Sequence, residues 1–111
     1  MLNVPSSYLR VYEPGTVIIQ QGEPNDNIIY LLISGALTVS KDEKTVAEIK
    51  QPGVFFGELS VLLNTPRSAT VIALMESKVM AMPYDYNIFF VKFPGIAQKL
   101  MLTLAKRLAG R

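Results

Sequence analysis

From Leu9 to Met82 turn-forming residues interrupt the chain at strand-length intervals, which leaves little room for long helices. Residues 9–12 end at Glu13-Pro14-Gly15, where proline presets φ and glycine supplies a positive one. Residues 17–20 run into Gly22-Glu23-Pro24-Asn25-Asp26-Asn27, a loop by its density of turn formers. Residues 28–34 are almost continuously apolar, as a buried strand requires. Gly35 separates them from residues 36–40. Lys41-Asp42-Glu43-Lys44 is a polar hairpin tip, and residues 45–49 read as its return strand. Residues 68–74 and 78–82 form a last pair about Met75-Glu76-Ser77. Roughly eight short strands with turns between them predict a mainly β sandwich or jelly-roll barrel, not a βαβ fold. No GxGxxG or Walker sequence occurs, so a Rossmann or P-loop site is unsupported.

After Pro83 the period changes. Residues 84–93 suit a short helix that stops before Pro94. Ile96, Ala97, Leu100, Met101, Leu104, Ala105 and Leu108 then recur at helical spacing, with Gly110 as the stop. This stripe either lies against the barrel or serves in part as a dimer or relay surface. The expected boundaries are one domain over residues 1–111, with the barrel at about 9–83 and the helices at about 84–109.

Composition removes several classes of chemistry. The chain has 111 residues, 50% of them hydrophobic and 18% charged, which fits one folded domain and excludes disorder. It has no Cys, so neither disulfides nor thiolate metal sites contribute, and a cytoplasmic setting is expected. It has no His, which disfavours metal-dependent barrel enzymes and imidazole catalysis; no enzyme and no metal site are expected. No apolar run is long enough to span a membrane, and the start of the sequence lacks a signal-peptide pattern. All nine acidic residues precede residue 87, whereas Lys92, Lys99, Lys106, Arg107 and Arg111 follow it. Five cations over that length suit a solvated helix face near its C-terminus rather than a nucleic-acid patch.

The chemistry concentrates between Phe56 and Val71. Gly57 permits irregular backbone or close approach of a ligand. Residues 60–64 suit a short helix, ended by Thr65-Pro66. Arg67 stands at the mouth of a β-branched run. A helix start beside an arginine suits an anionic group, since N–H donors and a guanidinium fork converge there. Glu58 adds an acceptor that suits a sugar hydroxyl. Phosphate and ribose recognition within one short segment suggests a nucleotide.

Phe56-Gly57-Glu58-Leu59, a short helix and Thr65-Pro66-Arg67-Ser68-Ala69-Thr70-Val71 closely resemble the phosphate-binding cassette of the cyclic nucleotide-binding domain family. The likeness extends to the glycine-marked segments 14–23 and 28–39 and covers residues 9–108. It implies an eight-stranded jelly-roll β-barrel of the cyclic nucleotide-binding type, followed by helices that move on binding. It implies that Glu58 accepts from the ribose 2′-hydroxyl and that Arg67 pairs with the cyclic phosphate. Backbone N–H groups around Gly57, Leu59 and Ala69 would close on the ligand. Leu59 is expected in the core, coupling the cassette to the C-terminal helices. Serine at the position of Ser68 occurs in bacterial cyclic-AMP regulators, which leans to cyclic AMP over cyclic GMP. The implied partners are the nucleotide, an effector protein or domain and a possible homodimer. No DNA-reading helix-turn-helix is present, so no direct nucleic-acid contact is expected of this chain. A nucleotide-free interaction domain and the sensor part of a cyclic-AMP-type transcription regulator are the alternatives. Whether the chain stands alone or is an excised module is open.

Overall fold

The computed structural model describes residues 6–110. A 3-10 turn, Ser6–Tyr8, leads into β1 (Leu9–Tyr12), β2 (Val17–Ile19), β3 (Ile28–Ser34), β4 (Leu37–Lys41), β5 (Lys44–Ile49) and β6 (Phe55–Phe56). Then come α1 (Glu58–Leu63), β7 (Thr70–Ala73), β8 (Ser77–Pro83), α2 (Tyr86–Lys92) and α3 (Pro94–Ala109). The strands form two four-stranded antiparallel sheets, ordered β1-β8-β3-β6 and β2-β7-β4-β5. The expected jelly roll is therefore present as two separate hydrogen-bonded ladders, not one closed barrel.

The apolar run of β3 has a simple cause. Successive side chains of a strand point to opposite faces. Tyr30 and Leu32 join Leu37, Val71, Val79 and Ala81 in the core between the sheets. Ile29 and Leu31 point the other way, against Met80, Met82 and the helices. Both faces of this strand are buried, so neither can be polar. The molecule is thus three layers deep: one sheet, the other sheet, and the helices.

The helical layer is held by aromatic side chains. Phe89 is fully buried at 0% exposure. Its ring lies 5.2 Å from Tyr84 and 5.7 Å from Phe93, and Phe93 meets Tyr8 edge-on at 5.0 Å. Of the α3 stripe, Ile96, Ala97 and Leu100 are buried and Leu104 packs at the rim. Met101 and Leu108 are exposed, so only the first half of the helix lies on the core. Gly110 closes α3 at φ −82°, without the left-handed turn expected of a terminal glycine.

Candidate functional site

All six residues singled out in the sequence, Gly57, Glu58, Leu59, Arg67, Ser68 and Ala69, line one cavity of about 210 Å³. Its other wall is apolar, with Val39, Ile49, Phe55 and Val71. Phe56 feeds the chain into Gly57, whose φ of 75° is left-handed, and α1 starts at Glu58. The helix thus begins two residues earlier than expected. The turn at Gly57 redirects the chain and delivers Glu58 to the inner face.

Gly57 is required for space as well as for its dihedral. A Cβ there would stand 2.9 Å from Arg67 Nη1 and 3.0 Å from Ile19 Cδ1. Gly57→Ala is expected to displace the Arg67 guanidinium and to cost about 1–3 kcal/mol of stability. Gly95→Ala is the contrast, because nothing lies within 4 Å of its would-be Cβ and its φ is not left-handed. Urea midpoints for the two variants should move in opposite directions or differ widely; equal midpoints would contradict the steric account.

Arg67 is buried, at 5% exposure. Nη1 donates to the Gly57 carbonyl at 2.7 Å and to Ser60 Oγ at 2.9 Å. Nη2 donates to Asp26 Oδ1 at 2.7 Å and to the Ile28 carbonyl at 2.9 Å. These acceptors take up the four Nη hydrogens. The guanidinium also lies 5.9 Å over the Tyr30 ring, which stacks on Phe56 at 5.0 Å. Burial pushes the Tyr30 phenol above its ordinary value and the Asp26 carboxylate adds to the rise, so this platform stays neutral through the physiological range.

The loop between β2 and β3 braces this arrangement. The Arg67 N–H donates to the Glu23 carbonyl, and the Gly22 N–H to the Arg67 carbonyl, both at 2.8 Å. Asn25 Nδ2 donates to the Ser60 and Thr65 carbonyls, tying down the end of α1. Asp26, Asn25 and Ser60 were not singled out in the sequence. Asp26 lies 41 positions from Arg67, and only its place in a dense polar loop hinted at a role.

Glu58 is the other buried charge, at 5% exposure. Its Oε2 has no hydrogen-bond donor among the described residues. Arg107 Nη1, from α3, stands 3.9 Å away, an ion-pair distance too long for a hydrogen bond. A buried carboxylate oxygen without a donor is costly, and a ligand hydroxyl would satisfy it.

Leu59 is half exposed, at 47%, which corrects the expectation of a core residue. The α1 face that turns inward carries Val61, a member of the same core cluster as Phe89, Phe93 and Ile96, and Leu62, which packs against that cluster. Apolar contact between α1 and the helical layer therefore runs through those two residues, while Leu59 faces the cavity. Ser68 is exposed and Ala69 half-buried at the mouth. Among the described residues no cluster of three His, Cys, Asp or Glu side chains could hold a metal, and no helix is long and apolar enough to cross a membrane.

A β-sandwich with one cavity wall apolar, and the other carrying a buried arginine and an unsatisfied buried carboxylate, defines a binding module for a small polar ligand. A model of the cyclic nucleotide-binding domain family matches residues 9–91, and the chain belongs to that family. It is 46% identical over 68 residues to a cAMP-dependent protein kinase regulatory subunit of Hypocrea atroviridis, covering 61% of this chain and 14% of that protein. It is 40% identical over 86 residues to human cGMP-dependent protein kinase 2, covering 78% of this chain and 11% of the kinase. The chain thus spans only a small part of these relatives. The solved structure of Thermus thermophilus catabolite activator protein superposes with a TM-score of 0.75 at 31% identity, over 94% of this chain and 52% of that one.

Proposed function

We propose that this domain is a non-enzymatic sensor whose preferred ligand is cyclic AMP. The observation that carries the reading is the unsatisfied Glu58 Oε2, buried on the same cavity as Arg67. One ligand with a hydroxyl beside an anionic phosphate answers both. Arg67 would take the phosphate through Nε–H and by exchange with Asp26, the one charged acceptor among its four and itself more than half exposed. The N–H groups of the first turn of α1 have no intrahelical acceptor and would add donors at Gly57 and Leu59. Ser68 and Ala69 would close the phosphate arc from the start of β7. The lean to cyclic AMP rests on serine at position 68, as in the bacterial regulators that the cassette resembles; the relatives include kinases named for each nucleotide.

Transmission would follow from two contacts. Val61 and Leu62 carry movement of α1 into the aromatic cluster under α2 and α3. Arg107 ties α3 to Glu58 itself. The nucleotide shifts these helices only by binding one of their arrangements better than the other. An effector protein or domain would read the shift, the outer half of α3 would be available to it or to a second copy, and a cytoplasmic setting fits that role.

The test is ribose recognition. A hydrogen bond to a charged acceptor contributes about 1.5–3 kcal/mol, so 2′-deoxy cyclic AMP should bind roughly ten- to a hundred-fold more weakly than cyclic AMP. Glu58→Ala should lose most of that discrimination. An undiminished preference in the folded variant would reject the assignment of Glu58.

A further inference from the structure

We propose that Lys41 is the cation that balances the nucleotide's phosphate charge and draws the anion into the cavity. The inference rests on the cyclic nucleotide reading of the same site. In β4 the side chains of Leu37, Val39 and Lys41 fall on one face by the strand's period of two. Leu37 is buried, and both Val39 and Lys41 line the cavity. Ser40 pairs with Thr70 across the sheet, which sets Lys41 level with Ala69, at the cavity mouth beside the expected phosphate arc.

Charge bookkeeping gives this position its meaning. Arg67 is paired with Asp26 and Glu58 with Arg107, so these four groups sum to zero. A cyclic phosphate brings one negative charge into that neutral arrangement. Lys41 has no ion pair and no side-chain hydrogen bond among the described residues, and it is the one charged group on the cavity outside those two pairs. Lys41 is an exposed residue. An exposed cation at a cleft mouth acts chiefly through long-range attraction, raising the association rate in a salt-dependent way. It is blind to the base, because the phosphate is common to both nucleotides.

The experiment is stopped-flow and equilibrium titration of Lys41→Met with cyclic AMP and cyclic GMP, at low and at high salt. At low salt both affinities should fall by a similar factor, about two- to five-fold, carried mostly by the association rate. The gap from wild type should close at high salt. Lys44→Met, on the hairpin tip opposite Lys41 in register and outside the cavity lining, should change binding less. A loss confined to cyclic GMP would make Lys41 a base reader and overturn the proposal. So would unchanged binding, a loss that persists at high salt, or an equal loss in Lys44→Met. Failure of wild type to bind either nucleotide would instead reject the reading on which the proposal rests, and the proposal with it.

Discussion

Replacing Arg67 with alanine is expected to lower cyclic AMP affinity by roughly 30- to 3000-fold, the equivalent of about 2–5 kcal/mol for removing the partner of a buried anion. The side chain is almost fully buried, so its charge is little screened by solvent. The same substitution removes four hydrogen bonds and leaves the Gly57 and Ile28 carbonyls, Ser60 Oγ and Asp26 short of a donor. Some loss of stability should accompany the loss of affinity, and circular dichroism must establish that the variant is folded. Arg67→Lys separates charge from geometry. It keeps the cation but not the planar fork that reaches four acceptors, so it should recover only part of the binding. Affinity within threefold of wild type in folded Arg67→Ala would show that the phosphate is held elsewhere.

Replacing Phe89 with alanine is expected to cost about 3–5 kcal/mol of folding stability, among the larger effects available in a domain of this size. The ring is fully buried and touches Tyr84, Phe90 and Phe93, so the fixed backbone of the β-sandwich cannot collapse fully into the space it vacates. The damage should be uneven. The core between the sheets does not include Phe89, whereas the layer that holds α2 and α3 is built around it. Hydrogen exchange across residues 94–109 should therefore accelerate more than exchange in β3 and β8. A denaturant midpoint close to wild type, or uniform acceleration throughout, would contradict the layered account.

The sequence was most legible where one physical cause dominated. Residues 28–34 read as a buried strand because both of their faces are covered, and β3 has those bounds. Phe55–Phe56 was not read as a strand. It is two residues long, and its pairing with Tyr30 and Leu31 exists only once β3 is in place. Within the cassette the local pattern located Gly57, Glu58, Leu59, Arg67, Ser68 and Ala69 on one cavity, but it misjudged the burial of Leu59. The left-handed Gly57 sets the orientation of α1, burying Glu58, Ser60 and Val61 and leaving Leu59 half exposed at the cavity. The acceptors of Arg67 were illegible for a different reason. Asp26 and Ile28 come from a loop and strand distant in sequence, and no local spacing encodes that meeting. The α3 stripe was read whole, yet the helix runs past the surface it covers, so Met101 and Leu108 are exposed.

The central claim is that a cyclic nucleotide occupies the cavity shared by Glu58 and Arg67. Isothermal titration of the wild-type chain with cyclic AMP, cyclic GMP and linear 5′-AMP tests it most directly. The account predicts saturable one-to-one binding of cyclic AMP, weaker binding of cyclic GMP and much weaker binding of 5′-AMP, whose phosphate is not closed onto the ribose. No saturable binding of either cyclic nucleotide, or binding of 5′-AMP as tight as that of cyclic AMP, would contradict it.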